Sequence, residues 1–278
     1  MINDALNKTV HKIIHGDALK VLKTIGDNSI DLIFSDPPYN MSKTNGLKWS
    51  YSSHVTMHEP WDIFDKDEFF NFNREWIGEC VRTLKPGGSF WISGTFHNIF
   101  DIGFIIKNIF NLKINNTIVW YKPNAQPNIT CRFFTESTEY LLWASKNDSK
   151  HKWKFNYGIS KSDIYDNINP KNKQTRNVWE IPLTPKKEKI YGNHPSQKPL
   201  ELLRRIIIST SDEYDTVLDP FAGSGTTAVS CIENNRNSIG IENNDEYINI
   251  IKNRINGKAN GSIIVNYENY GDEQNGLQ

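Results

Sequence analysis

The sequence predicts an α/β protein built on a mostly parallel sheet. Three observations carry this expectation. Short apolar, β-branched runs alternate with stretches of helical apolar spacing. Two of the runs end abruptly in turn chemistry, at Asp36-Pro37-Pro38-Tyr39 and at Asp219-Pro220-Phe221-Ala222-Gly223-Ser224-Gly225. The chain of 278 residues suits one large domain or a domain with a sizeable insertion.

Taken in order, Lys12 to His15 reads as a short strand before Gly16-Asp17, and Ala18 to Ile25 as a helix. Ile30 to Ser35 is a buried strand that stops at Asp36. Asn40 to Pro60 is polar and reads as a long mobile loop. Asp65 to Leu84 is a helix stopped by Lys85-Pro86-Gly87-Gly88, and Ser89 to Ser93 is the next strand. Ile99 to Phe110 reads as helix and Asn116 to Tyr121 as strand. Periodicity weakens from Lys122 to Gly192, where lysines, turns and aromatics suggest an insertion. Pro199 to Ser209 is an amphipathic helix. Strands over Thr216–Leu218 and Ser238–Ile241 then alternate with helices over Thr226–Asn234 and Glu246–Ile255. The tail from Val265 is polar and expected to fray.

Hydrophobic residues at 37% and charged residues at 23% argue for a folded, soluble chain rather than a disordered one. No run of about 18 apolar residues exists to span a membrane, and Met1 to Val10 lacks a secretory apolar core. Cys80, Cys131 and Cys231 show neither disulfide-framework nor zinc-ligand spacing, which suits a reducing cytoplasm. His54 and His58 have no third ligand near, so no metal is expected. Cys80, Cys231, Trp120 and Trp143 read as packing residues.

The formal net charge is zero, but its parts are unequal. Lys113 to Lys198 carries fifteen basic and seven acidic residues, a local +8 against −8 for the rest. That asymmetry fits a polyanion-facing region on a neutral body, or a solvated lysine-rich insertion.

The glycine turn joins a strand to a helix start. Glycines admit close backbone approach, and a helix N-terminus offers free N–H groups. No Lys follows Gly225, which excludes a Walker P-loop. Glu242 ends the next strand, 17 positions after Gly225, where a carboxylate can accept both ribose hydroxyls of an adenosine-type ligand. A ribose without pyrophosphate suits S-adenosylmethionine (SAM). Asp36-Pro37-Pro38-Tyr39 offers a carboxylate, a rigid carbonyl and an aromatic face, a set that suits a planar ring bearing an exocyclic amine.

The pair of motifs resembles the exocyclic-amine DNA methyltransferases. Asp219 to Thr227 resembles their SAM motif, and Asp36 to Tyr39 their catalytic motif. The catalytic motif comes first, with the basic segment between, as in the β class. His15-Gly16-Asp17-Ala18 resembles the segment near the adenine of SAM. Asn193-His194-Pro195-Ser196-Gln197-Lys198-Pro199 resembles the segment at its methionine end, and Leu84 to Gly88 the turn after the catalytic motif. An Asp at the first catalytic position suits N6-adenine; the N4-cytosine relatives more often carry Ser there. Trp120 to Asn128 and Arg132 to Ala144 resemble DpnA-type GATC enzymes and the CcrM/HinfI-type GANTC enzymes. The latter carry a further C-terminal domain, for which the chain after Gly261 is too short.

The resemblance implies a Rossmann-like SAM-dependent methyltransferase fold, helices on both faces of the sheet, with an inserted target-recognition region. It divides the chain into a catalytic half (11–118), a basic DNA target-recognition insertion (119–191), a SAM-binding half (192–262) and a polar tail (263–278). It implies catalytic roles for Asp36, Pro37, Pro38 and Tyr39. It implies cofactor contacts from Asp17, Ala18, His194, Ser196, Lys198, Asp219, Pro220, Phe221, Gly223, Ser224, Gly225, Thr226, Thr227 and Glu242. Lys122, Asn124, Arg132 and Arg176 are the candidate DNA contacts. The expected activity is methylation of N6 of a flipped adenine in duplex DNA, in GATC, within a restriction-modification system. N4-cytosine, a GANTC site, single-stranded DNA, RNA or protein substrates, and a catalytically idle binding protein stay open at this level. So do a homodimer and a cognate endonuclease.

Overall fold

The computed structural model describes residues 8–40, 63–128, 131–148, 150–258 and 262–271. The expected loop 40–60, with His54 and His58, lies outside them from residue 41 onward.

Among the described residues, nine strands make one sheet: β1 (Thr9–His15), β2 (Ile30–Ser35), β3 (Leu84–Gly94), β4 (Lys113–Tyr121), β5 (Thr138–Ser145), β6 (Val178–Glu180), β7 (Thr216–Asp219), β8 (Asn237–Glu242) and β9 (Ile263–Asn269). Their spatial order is β6-β4-β5-β3-β2-β7-β8-β1-β9. The run from β3 to β9 is parallel, and β5 is antiparallel to both neighbours.

The helices are α1 (Ala18–Leu22), α2 (Lys66–Thr83), α3 (Ile99–Phe104), α4 (Tyr157–Ser162), α5 (Leu200–Thr210), α6 (Thr226–Glu233) and α7 (Asp245–Asn256). A reciprocal capping box between Asp65 and Glu68 starts α2. Asn244 caps α7 by accepting from the N–H groups of Glu246 and Tyr247.

Period-2 alternation divides the strand side chains between two cores. Ile33, Phe90, Ile92 and Leu142 face α2 and α3, where Trp76, Ile77, Cys80 and Ile102 are buried. Leu32, Phe34, Trp91, Leu141 and Trp143 face α5 and α6, against Leu202, Leu203, Ile206 and Cys231. Trp91 and Trp143 stack with ring centroids 5.2 Å apart. Helices therefore cover both faces, as a parallel sheet requires.

Two expectations are corrected. The irregular segment after Lys122 holds a core strand: β5 lies between β3 and β4, so part of 119–191 belongs to the main sheet. The C-terminal tail does not simply fray, because β9 pairs with β1 and sets Ile263 and Val265 against Ile13 and Ile251. The expected helix over 99–110 is present, α-helical from Ile99 to Phe104 and π-helical from Ile105 to Ile109. Among the described residues, no helix is long and apolar enough to cross a membrane.

Candidate active site

The carboxyl ends of β1, β2, β7 and β8 converge on one cavity of about 700 Å³. Open parallel sheets bind ligands at this edge. Asp36 to Tyr39, Asp17, Ala18, His194, Ser196, Lys198, Asp219, Pro220, Phe221, Gly223, Ser224, Thr226, Thr227 and Glu242 all line it. Of the expected cofactor residues only Gly225 stands behind the wall. It has φ +77° at the start of α6, and a Cβ there would sit 3.0 Å from Ile251. Gly223 has φ +53°, and a Cβ would come within 2.9 Å of His194 Nε2. Both positions favour glycine on backbone and space.

At the glycine end, backbone groups hold the acids. Glu242 Oε2 accepts from Gly223 N–H at 2.8 Å, and its Oε1 from Asn243 and Asn244 N–H at 3.0 and 2.9 Å. Burial raises the Glu242 carboxyl, and those three bonds oppose it. Asp219 accepts from Phe221 N–H and from the Thr227 hydroxyl, which ties the turn to α6. Burial pushes its carboxyl up to about 7, with the Asp36 and Glu242 charges adding. The Asp17 side chain caps α1 through Lys20 N–H. Phe221 meets Trp76 edge-on at 5.4 Å and packs the turn onto the core.

His194 is buried, and its ring lies 4.3 Å from that of Tyr247. Burial, with the Lys198, Lys189 and Arg254 charges, lowers it to about 4. Its Nδ1 is buried without a hydrogen-bond partner.

Side chains hold the other end. Lys198 Nζ donates to Asp36 Oδ2 at 2.7 Å, and the Tyr39 hydroxyl donates to Asp36 Oδ1 at 2.5 Å. Ser93 Oγ lies 2.9 Å from the Tyr39 hydroxyl. Glu139 Oε2 is 3.5 Å from Lys198, and Glu139 Oε1 is 3.0 Å from Lys122. Two buried lysines thus alternate with two carboxylates, and the cluster is neutral. Burial opposes charge on Lys198, but the Asp36 and Glu139 carboxylates outweigh it and hold the ammonium well above its ordinary value. Burial and then the Asp36 charge push the Tyr39 phenol well up, so it stays a neutral donor.

This placement changes two readings. Lys198, expected at the methionine end of the cofactor, reaches the Asp36 carboxylate. Lys122, expected to touch DNA, is 9% exposed and paired with Glu139, so it is not presented to phosphate. Arg132 and Arg176 are exposed. Asn124 is exposed, and its side-chain oxygen accepts from Leu183 N–H.

Sequence reasoning missed Glu139, Ser93 and Arg254. Arg254 is 4% exposed, and its Nη1 donates to Ser224 O and Oγ at 2.8 Å and to Thr226 Oγ1 at 2.9 Å. It is a buried cation under the glycine turn, lowered by burial to about 10. The signals were a charge on the inner stripe of α7 with Tyr247 and Ile251, and a charge in phase with Leu141 and Trp143 on β5.

The cavity fits SAM. An oriented carboxylate answers a ribose diol, the orphaned His194 Nδ1 answers a further polar group, and the glycine turn leaves room for a close ligand. No group of His, Cys, Asp and Glu suited to a metal occurs among the described residues.

A mostly parallel sheet with this cavity and an Asp-Pro-Pro-Tyr wall defines a SAM-dependent methyltransferase. Comparison with known proteins supplies the family. The DNA methylase family profile matches residues 30–253, and the chain belongs to that family. The chain is 43% identical over 244 residues to the type II methyltransferase M2.MboI of Moraxella bovis, covering 87% of this chain and 86% of that one. It is 42% identical over 251 residues to M2.DpnII of Streptococcus pneumoniae, covering 90% and 91%. The solved M1.HpyAVI–SAM complex is 30% identical with a TM-score of 0.63, covering 88% of this chain and 99% of that one.

Proposed function

We propose that this enzyme methylates N6 of a flipped adenine in duplex DNA, within GATC, as the modification arm of a restriction-modification system. The single observation that carries the reading is the Asp36 carboxylate held in the wall of the cofactor cavity, beside the Pro37 carbonyl. The close relatives named type II methyltransferases support the biological setting. The likeness of residues 120–128 and 132–144 is shared by GATC and GANTC enzymes, and GATC is favoured because the GANTC enzymes carry a further C-terminal domain.

Glu242 would hold the ribose of SAM, Asp17 its adenine, and Ser196 and His194 the methionine end. Bound there, SAM supplies a methyl group activated by its sulfonium. A duplex hides the adenine amine, so the base must leave the stack. Asp36 and the Pro37 carbonyl accept the two amine hydrogens and aim the nitrogen lone pair. Tyr39, fixed by Asp36 and Ser93, gives the base a rigid aromatic wall. The amine proton becomes acidic only once nitrogen has gained the methyl, so Asp36 orients first and needs no strong basicity. Positioning and electrostatics supply the rate, with no covalent bond to the enzyme.

The basic segment would supply phosphate and base contacts through Arg132, Arg176 and Asn124. We place the enzyme in the cytoplasm, as a homodimer, beside a cognate endonuclease. Incubation with labelled SAM and GATC, GANTC or scrambled duplexes, then digestion to nucleosides, tests the reading. Label in N6-methyladenine from GATC alone is expected. Label in N4-methylcytosine overturns the base, and label from GANTC overturns the site.

A further inference from the structure

We propose that Phe133 and Phe134 form an aromatic wedge that enters the base stack beside the target adenine. The inference rests on the DNA reading above and adds the element that opens the duplex.

Phe133 is 77% exposed and Phe134 is 98% exposed. Two adjacent phenylalanines left in water are costly, since each ring withholds a large apolar area from burial. Single exposed apolar residues need no explanation, whereas a paired one on a functional edge does. Their neighbours Cys131, Arg132, Thr135 and Glu136 are exposed as well, so the pair stands on a projecting loop.

Sheet register places that loop. Ser35 pairs with Ile92, and Ile92 pairs with Leu142. Asp36 is therefore level with the start of the β5 core, and Glu139 lies beyond it on the same edge. Glu139 touches Lys198, which holds Asp36. Phe134 is five residues before Glu139, within about 17 Å of it at full extension. A Lys122 N–H bond to Ser137 O at 2.8 Å closes the loop base, so the loop rises from the catalytic edge.

A base step is the occupant that fits. Removing one base leaves two flat apolar faces, and apolar side chains fill such gaps in other DNA complexes. Ring-on-base stacking does not depend on sequence, so the pair can act beside any neighbour of the target. Exposed Arg132, directly before the rings, is placed to meet the adjacent phosphate.

The test is single-turnover methylation by the full chain and by Phe134→Ala and Phe133→Ala/Phe134→Ala variants. Three substrates are compared: the duplex site, the same duplex with the target adenine opposite an abasic position, and the single strand. Both side chains are exposed, so the variants keep the folded core. On the duplex the double variant should be slower by about 10- to 100-fold. On the other two substrates it should match the parent within about twofold, because those bases are already unpaired. An unchanged duplex rate overturns the wedge. An equal loss on all three substrates also overturns it and makes the loop a general DNA contact. A change in oligomeric state on sedimentation makes the patch a chain–chain interface instead. Failure of the parent enzyme to methylate any adenine overturns the underlying reading, whatever the variant ratio.

Discussion

The two ends of the cavity are held by different forces. At the glycine end, main-chain N–H groups fix Glu242, and a local turn fixes Asp219. At the Asp-Pro-Pro-Tyr end, Asp36 is fixed by Lys198, which leans on Glu139, which pairs with Lys122. Those four side chains come from well-separated parts of the chain. A backbone-held site tolerates side-chain changes around it. A site held by buried charges fails as a unit, because removing one partner leaves another charge buried and unpaired.

The strongest break of that contrast is Lys198→Met. It leaves Asp36 and Glu139 without their shared cation, and the methyl-transfer rate should fall about 100- to 1,000-fold. Single-turnover kinetics at saturating SAM would read it. Glu242→Ala should weaken SAM binding about 10- to 100-fold while sparing the rate at saturating SAM. Titration calorimetry beside kinetics separates the two effects. Glu139→Gln leaves Lys122 buried without an anion and should cost about 3 kcal/mol of stability. Urea unfolding measures it, and Lys122→Met in the same chain should return most of the loss.

The smallest effect is a pH slope. The folded Asp219 carboxyl keeps its proton up to about 7, whereas an unfolded one releases it near 4. In that window the folded chain binds the extra proton, so the Asp219 contribution to stability falls as pH rises. Asp219→Asn should remove that fall. His11, buried and lowered to about 4, acts in the opposite sense. Its unfolded value is near 6.5, so its contribution is lost as pH drops from about 6.5 to about 4. Urea midpoints across pH for the parent and Asp219→Asn resolve the two slopes.

The same contrast explains what the sequence could disclose. Asp36 to Tyr39, Asp219 to Thr227 and Glu242 are legible because each is a contiguous motif at a strand end. Glu139 and Lys122 became neighbours of the site only through the pairing of β4 with β5 and β5 with β3. That pairing was hidden because β5 sits within a lysine-rich stretch whose composition reads as surface. β9 was hidden for a different reason. It is an edge strand, so only alternate residues such as Ile263 and Val265 reach the core, and the average looks polar. Arg254 lies on the buried side of α7 among Tyr247, Ile248 and Ile251, and its partners are backbone and hydroxyl oxygens of the glycine turn, which no spacing in the sequence discloses.

The central claim is that Asp36 serves transfer and the glycine end serves the cofactor. The direct measurement is SAM affinity and turnover of Asp36→Ala in one preparation. The account predicts no detectable N6-methyladenine with a SAM dissociation constant within about twofold of the parent. A loss of SAM binding as large as the loss of turnover would contradict it, because the two ends would then be one site.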